Sequence, residues 1–147
     1  MSILNGKNIL LGISGGIAAY KSAFLVRLLI KNGAHVQVIM TPNSKDFVTP
    51  LTLSTLSKRP VLSEFFNKDN ENELWNNHVE LALWANYFII APATANTLSK
   101  MASARADNLL IATYLSAKCP VFFAPAMDLD MHNNQANKLN ISKLIDF

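Results

Sequence analysis

Small and polar side chains follow four separate apolar segments of the chain. They are Ser14, Gly15, Gly16 and Ile17, then Thr41 to Ser44, then Pro92 to Thr97, and finally Pro125 to Met131. Glycine lets a backbone come close to a ligand, and hydroxyl groups and unpaired backbone N–H groups are suited to binding phosphate. These residue types predict a site for a phosphate-bearing small molecule, provided that the fold brings the four segments together.

The apolar segments themselves have the pattern of buried β-strands that alternate with helices. Strands are predicted over residues 7–13, 34–40, 87–91 and 119–125, and helices over 17–33, 43–57, 94–117 and about the last fifteen residues. The segment 66–77 is polar and is predicted to be an exposed loop or a turn of helix. Alternation of this kind predicts one α/β domain with a doubly wound parallel sheet. Ligands bind outside the carboxyl ends of the strands in such sheets, which is where the four polar segments lie.

Each polar segment also has a purely structural interpretation. "SGGIAAYK" could be a tight turn before a helix, and it matches neither a Walker loop nor the GxGxxG fingerprint. Thr41 and Ser44 could both donate hydroxyl groups to a phosphate, but Thr41 could equally cap a helix. Asp128 could cap the helix that follows it, and with Asp130 it supplies fewer oxygen ligands than a hard cation usually takes, so no metal site is predicted.

His78 and Cys119 are the other candidates for chemistry. His78 precedes a short helical run, and a lone histidine in such a place is more often a surface or capping residue than a catalyst. Cys119 stands directly before Pro120 at the start of a strand, which favours a structural thiol over a nucleophile. From these positions alone neither residue is predicted to be catalytic.

Composition limits the class of protein. The chain has 147 residues, is 50% hydrophobic and carries a net charge of +3 on scattered basic residues, so we expect one domain and no nucleic-acid partner. Its single cysteine excludes an internal disulfide, no secretory signal is recognisable and no apolar run is long enough to cross a membrane. A cytoplasmic protein that does not bind membranes is therefore predicted.

Five segments together resemble one family. "SGGIAAYK", "MTPNSKDFVTPLTLSTLS", "HVELALWAN", "APATANTLSKMASARADNLL" and "CPVFFAPAMDLDM" occur in the order and spacing of the flavin-dependent cysteine decarboxylases, over nearly all of residues 7–131. Within that family the chain most resembles the phosphopantothenoylcysteine decarboxylases, the decarboxylase half of the bifunctional bacterial coenzyme A enzymes. The resemblance implies a Rossmann-like or flavodoxin-like fold, bound FMN, and a homotrimer with the flavin at subunit contacts.

The resemblance also implies roles for individual residues. His78 matches the active-site histidine, which reverses the expectation from its position alone. Asp128 and Met131 belong to the motif that would bind substrate. The residues implied for the FMN site are Ser14, Gly15, Gly16, Ile17, Thr41, Ser44 and Phe47, with Thr94, Ala95, Asn96, Thr97 and Ala126 towards the ribityl chain and ring.

The implied reaction is the FMN-dependent oxidative decarboxylation of 4'-phospho-N-pantothenoylcysteine to 4'-phosphopantetheine in coenzyme A biosynthesis. In this family the cysteine side of the substrate is oxidised, carbon dioxide is lost, and the electrons return to an ene-thiol. Flavin supplies the electron sink, while the protein supplies orientation and electrostatics. His78 would transfer a proton or position the substrate.

The sequence departs from the family pattern at three points. Asp128 stands where asparagine is usual, Ala104 replaces a usual glycine, and the chain ends at Phe147, before the flap whose cysteine protonates the intermediate. The synthetase domain that is commonly fused downstream is not in this sequence either, so the sequence predicts a flavoprotein domain over 1–147, and whether this domain completes the catalytic cycle stays open. Two alternatives remain open at this point, a non-catalytic regulatory flavoprotein and a peptidyl-cysteine decarboxylase; a flavin prenyltransferase fits the motifs less well.

Overall fold

A four-stranded parallel sheet is the centre of the fold, in a computed structural model that describes residues 2–67, 74–75 and 77–147. The strands in chain order are β1 (Asn8–Ile13), β2 (His35–Met40), β3 (Phe66–Asn67), β4 (Leu74–Trp75), β5 (Tyr87–Ala93) and β6 (Val121–Pro125). The sheet has the order β2-β1-β5-β6 with every neighbouring pair parallel, and β3 and β4 form a separate antiparallel pair. The predicted parallel α/β architecture is confirmed.

Seven helices connect and cover the strands in the described ranges. They are α1 (Ser22–Lys31), α2 (Pro50–Ser57), α3 (His78–Trp84), α4 (Ala95–Ser103), α5 (Leu109–Ser116), α6 (Leu129–Asn133) and α7 (Gln135–Asp146). Two 3₁₀ turns, Ile17–Lys21 and Pro42–Asp46, directly follow the loops after β1 and β2. The helical segments predicted over 17–33 and 43–57 therefore each begin with or contain a tighter turn.

The sheet separates two apolar cores. On one face Leu10, Phe88 and Ile90 pack with buried residues of α4 and α5 and with Leu144 of α7. On the other face the alternate residues of β1 pack with α1, α2 and three residues of β2, namely Val36, Val38 and Met40. Because apolar side chains of β1 point to both faces, the strand is hydrophobic throughout, and the doubly wound arrangement predicted from that pattern is confirmed.

The helix predicted over 94–117 is wrong as a single element. It divides into α4 and α5, because Ala104 ends α4 in the left-handed conformation with a φ of 57° and Asn108 caps α5. The Asn108 Oδ1 atom accepts a hydrogen bond from the Ile111 backbone N–H at 2.9 Å. No glycine or proline marks this break, so the apolar periodicity runs through it in the sequence.

The polar segment 66–77 is described only in part. Phe66–Asn67 and Leu74–Trp75 are the short strands β3 and β4, which differs from the predicted loop or turn of helix. Residues 68–73 and 76 lie outside the described residues. Asn77 then caps α3, accepting hydrogen bonds from the backbone N–H groups of Val79 and Glu80.

Candidate functional site

A cleft of about 990 Å³ lies at the carboxyl edge of the sheet, between the loops that follow β1, β2, β5 and β6. The four polar segments singled out in the sequence therefore meet, as expected from the geometry of parallel sheets. Most of the residues proposed for the site line it, namely Gly15, Gly16, Ile17, Thr41, Thr94, Ala95, Asn96, Thr97, Ala126, Asp128 and Met131.

Ser14 does not line the cleft but fastens two of its loops together. Its Oγ donates a hydrogen bond to the Pro92 carbonyl oxygen and accepts one from the Thr94 backbone N–H at 3.0 Å. The side chain is buried, and its hydroxyl group both donates and accepts a hydrogen bond within the protein. Ser14 thus has a supporting role, holding the loop after β1 against the loop after β5.

The two glycines stand where the loops come closest. A Cβ atom on Gly15 would lie 3.0 Å from the Asn43 Cβ, and one on Gly16 would lie 3.2 Å from the Thr94 Cγ2. Both distances are shorter than the optimal separation of about 3.5–4.0 Å between carbon atoms. Side chains here would push the loops apart, so the glycines keep the wall of the cleft closed with bare backbone.

Thr41 has a buried polar atom, its Oγ1, without a hydrogen-bond partner among the described residues. Thr41 is the N-cap residue of the Pro42–Asp46 turn, as one interpretation of the sequence expected, but its side chain makes no capping hydrogen bond, so a cap does not account for its hydroxyl group. A buried hydroxyl group without a partner is costly, and a polar ligand atom in the cleft would satisfy it.

Ser44 is close to Thr41 in sequence but differs in its surroundings. Its Oγ donates a hydrogen bond to the Thr41 carbonyl oxygen at 2.6 Å, and the residue is fully buried. Ser44 therefore supports the Thr41 loop from behind and does not line the cleft. Of the two residues whose hydroxyl groups were predicted to bind a phosphate, only Thr41 lines the cleft.

The loop after β5 continues directly into α4. Thr94 is the N-cap residue, and its Oγ1 accepts a hydrogen bond from the Thr97 backbone N–H at 3.2 Å. The cap fixes the first turn of α4 beside the cleft, and Asn96 of this turn is among the lining residues. Threonine is a favoured N-cap residue, so the start of α4 is by itself a sufficient reason for threonine at position 94.

Asp128 is a helix cap and also lines the cleft, while its role towards a substrate stays a prediction. It caps α6, with Oδ1 accepting a hydrogen bond from the Met131 backbone N–H at 2.8 Å, and it lines the cleft. The capping interpretation is confirmed. Asparagine and aspartate cap helices about equally well, so the acid in place of the family's usual amide is compatible with this local fold.

His78 and Phe47 lie elsewhere in the described structure. His78 is the first residue of α3, where Asn77 rather than the histidine provides the cap, and its ring meets the ring of Phe65 edge-on at 6.1 Å between centroids. Phe47 is 45% exposed. Within the described part of the chain neither residue is among those lining the cleft, so one copy of the chain does not bring His78 to its own cleft.

Nine residues that line the cleft were given no individual role from the sequence: Ala18, Tyr20, Pro42, Met127, Lys21, Asn43, Lys100, Asp107 and Asn108. Lys21 belongs to "SGGIAAYK" and the last two belong to "ADNLL", so the motifs contained them without a role. Lys100 could have been found from its spacing, because it lies four and three residues after Asn96 and Thr97 on the same face of α4.

Cys119 lies away from the cleft. It lines a groove of about 390 Å³ beside β6, together with Tyr114 and Phe147. Burial raises the pKa of the Cys119 thiol above its ordinary value, and burial likewise raises the pKa of Tyr114. A raised pKa lowers the thiolate fraction at neutral pH, which agrees with the structural role expected for this thiol.

Two further features of the described ranges bear on the class of protein. No group of three or more His, Cys, Asp or Glu side chains that could hold a metal ion occurs in them. None of their helices combines the length and the apolar character that a membrane crossing requires.

The sheet order, the helices on both faces and the cleft at the carboxyl edge define a flavodoxin-like α/β protein with a site for a small-molecule ligand. The chain belongs to the Flavoprotein family, whose model matches residues 2–147.

Comparison with individual proteins agrees with this family. The chain is 46% identical over 145 residues to the coenzyme A biosynthesis bifunctional protein CoaBC of Vibrio cholerae serotype O1 (strain ATCC 39315 / El Tor Inaba N16961), covering 99% of this chain and only 36% of the length of that relative. The FMN-dependent cysteine decarboxylase SpaF superposes with a TM-score of 0.88 at 28% identity, covering 97% of this chain and 81% of SpaF. A mutant of a PPC decarboxylase, solved with pantothenoylaminoethenethiol, gives a TM-score of 0.83 at 30% identity over 97% of this chain and 79% of that one.

Proposed function

We propose that the chain binds FMN in the cleft. The observation that carries this proposal is the buried Thr41 Oγ1, which has no hydrogen-bond partner among the described residues and belongs to a residue that lines the cleft together with Gly15 and Gly16. A phosphate group has several oxygen acceptors for such a hydroxyl donor and for backbone N–H groups. Membership of the Flavoprotein family and the likeness to FMN-dependent decarboxylases support flavin as the molecule that carries this phosphate.

The residues present fit such a cofactor. Gly15, Gly16 and Thr41 would hold its phosphate end, and Thr94 to Thr97 with Ala126 would line its ribityl chain and ring. Ser14 and Ser44 would act indirectly, since their hydrogen bonds hold the loops that carry these groups.

The reaction that we propose is the decarboxylation of 4'-phospho-N-pantothenoylcysteine to 4'-phosphopantetheine, as a step of coenzyme A biosynthesis. The similarity to CoaBC and to the PPC decarboxylase supports this choice of substrate. Bound FMN would supply a two-electron acceptor, a chemistry that amino-acid side chains do not offer. The protein's own part is to orient the cysteine end of the substrate, for which Asp128 and Met131 are the candidates at the cleft.

We further propose that His78 acts in the cleft of a neighbouring copy. His78 does not line the cleft of its own chain, whereas the family resemblance gives it the catalytic role and implies flavins at the subunit contacts of a homotrimer. Ile17 is 82% exposed and lines the cleft, so an apolar contact at the cleft mouth is available to a second copy. There His78 would hold or deliver a proton at the substrate. The cytoplasmic location stays a prediction of the sequence.

The visible absorption spectrum of the purified chain is the first test. We expect a yellow protein that releases FMN in a ratio near one per chain. A colourless chain that takes up no added FMN would overturn the cofactor assignment.

Turnover is tested next with a panel of substrates. We expect carbon dioxide release from 4'-phospho-N-pantothenoylcysteine and none from its unphosphorylated form or from a peptide ending in cysteine. Turnover of the peptide alone would identify a peptidyl-cysteine decarboxylase. FMN binding without turnover of any substrate would instead support a regulatory flavoprotein or an incomplete cycle.

A further inference from the structure

Four charged side chains among the described residues line the cleft: Lys21, Lys100, Asp107 and Asp128. Two are positive and two are negative, so the net charge of the lining does not by itself favour an anionic ligand. What an anion meets depends on how these charges are paired, and one pair is defined by the structure.

Lys100 and Asp107 form an ion pair at the cleft. The Lys100 Nζ lies 3.0 Å from the Asp107 Oδ1, and the two side chains are 21% and 48% exposed. Lys100 is in the last turn of α4, and Asp107 is in the connection to α5. Backbone hydrogen bonds from Arg105 to the Lys100 carbonyl oxygen at 2.9 Å, and from Asp107 to the Arg105 carbonyl oxygen at 3.0 Å, hold this connection against α4.

An ion pair with a half-exposed carboxylate contributes little to folding, because water screens it and ordering the two side chains has an entropic cost. The ion pair matters more for the binding of an anion in the cleft, because it changes the charge that the anion meets. An uncompensated Asp107 carboxylate would repel a phosphate within a Debye length, about 10 Å at 0.1 M salt, whereas a paired carboxylate presents nearly zero net charge. The other carboxylate, Asp128, already accepts the Met131 N–H hydrogen bond.

We propose that Lys100 is a charge-compensating residue of the cleft, whose ion pair with Asp107 allows the cleft to accept a phosphate monoester. With Asp107 paired, the charges of the lining that remain are Lys21, which makes no ion pair within the described residues, and Asp128, so the lining is close to neutral and does not repel the phosphate. This inference rests on the proposed binding of FMN, and it assigns roles to two residues outside the binding set named above.

The test compares FMN with riboflavin, which has the same ring and ribityl chain but no phosphate. Dissociation constants for both flavins are measured by fluorescence titration of the flavin-depleted chain in the wild type, Lys100→Met, Asp107→Asn and the double variant. For Lys100→Met we expect an FMN dissociation constant about threefold to tenfold higher, as Coulomb's law gives for one charge acting on a dianion at about 8 Å in a water-like dielectric. Riboflavin binding should change by less than about twofold, since a neutral ligand feels the charge little.

The Asp107→Asn variant carries the opposite expectation. It leaves Lys100 as an additional free cation, so FMN should bind more tightly by a similar factor, and the double variant should return close to the wild type. All of these differences should shrink between about 0.02 M and about 0.5 M salt, because the Debye length shortens. Circular dichroism and the thermal midpoint of each variant control for loss of the fold. Asp107→Asn is nearly isosteric, so its FMN and riboflavin affinities test the proposal if Lys100→Met does not fold.

Equal losses of FMN and riboflavin affinity in both single variants would show that the pair is only a structural tie, and would overturn the proposal. Unchanged FMN affinity in both single variants would overturn it as well. A wild-type chain that binds neither flavin would overturn the cofactor assignment itself, and with it this inference, so the two failures give different results.

Discussion

At the scale of single residues, the Thr41 hydroxyl group gives the sharpest prediction. Thr41→Val removes an oxygen that has no partner among the described residues and keeps the shape of the side chain. We expect unchanged or slightly higher thermal stability, because no internal hydrogen bond is lost. If the hydroxyl group binds the charged FMN phosphate, the affinity should fall by about 1.5–3 kcal/mol, or tenfold or more.

Ser44→Ala is the matched control for that variant. The Ser44 hydroxyl group bonds to the Thr41 carbonyl oxygen inside the protein, so its loss should cost about 1 kcal/mol of stability. Any loss of FMN affinity should be smaller than in Thr41→Val. A Thr41→Val protein that is less stable but binds FMN normally would show that the hydroxyl group serves the fold and not the ligand.

Asp128 allows the departure from the family pattern to be tested directly. Asp128→Asn should leave the free energy of unfolding unchanged within about 0.5 kcal/mol, because either side chain caps α6, whereas Asp128→Ala should lose about 1 kcal/mol. Urea unfolding of the three proteins measures this. If Asp128→Asn also destabilised the chain by as much as Asp128→Ala, the carboxylate charge would be required and not only its acceptor oxygen.

The sequence was informative about site residues where local geometry suffices. Residues directly after strands, such as Gly15, Thr94 and Asp128, lie at the cleft because parallel strands end at one edge. The division between Thr41, which lines the cleft, and Ser44, which points into the protein, depends on packing that no periodicity encodes. The position of His78 depends on tertiary structure and, as proposed, on a second chain.

At the scale of elements, the turn between α4 and α5 contains a residue that is poorly suited to its conformation. Ala104 has a φ of 57°, in the left-handed region that costs a non-glycine residue about 1–2 kcal/mol. Ala104→Gly would remove this strain while adding about 0.4–1 kcal/mol of unfolded-state entropy. We therefore expect the free energy of unfolding to rise by roughly 0.5–1 kcal/mol, measured by urea titration.

Ala102→Gly is the control for the element-scale prediction. Ala102 is in α4 with ordinary helical geometry, so the same chemical change there should destabilise the chain by about 1 kcal/mol. If Ala104→Gly raises the free energy of unfolding and Ala102→Gly lowers it, the backbone conformation at each position decides the effect of glycine on stability. A loss of stability in Ala104→Gly would contradict the left-handed conformation at this turn.

The same turn shows where element prediction failed. Strand positions and the two-faced burial of β1 were predictable, because a short continuous apolar run in an α/β chain is typical of a strand covered on both faces. The break near residue 104 was not, because alanine favours helix and neither glycine nor proline interrupts the pattern. Asn108 was the available signal, as a good capping residue directly before an apolar run.

At the scale of the whole molecule, exposed apolar residues on α1 and on the turn before it are a candidate contact surface for the proposed trimer. Tyr20, Phe24 and Leu28 are 52%, 69% and 57% exposed at helical spacing. An exposed stripe of this kind is typical of a subunit contact. We expect Phe24→Glu to reduce the mass in solution towards the 16.2 kDa of one chain and to weaken FMN binding, measured by light scattering after size exclusion.

Leu139→Glu is the matched control, since Leu139 is 61% exposed on α7 and the charge change is the same. It should leave the assembly intact if the α1 stripe is the contact. A wild-type chain that is monomeric at all concentrations, or a Phe24→Glu protein that remains trimeric, would reject this interface.

The strand order has a consequence for folding of the chain during its synthesis on the ribosome. β1 lies inside the sheet, but its neighbour β5 follows far along the chain, so that Ser14 and Pro92, which meet in the finished loops, are 78 positions apart. At about 5–20 residues per second, several seconds pass between the emergence of the first βαβ unit and that of β5. During that interval one edge of β1 offers unpaired backbone groups to any other extended chain. A translation product that stopped before Tyr87 would keep this edge open, and we expect such fragments to aggregate or to be held by chaperones.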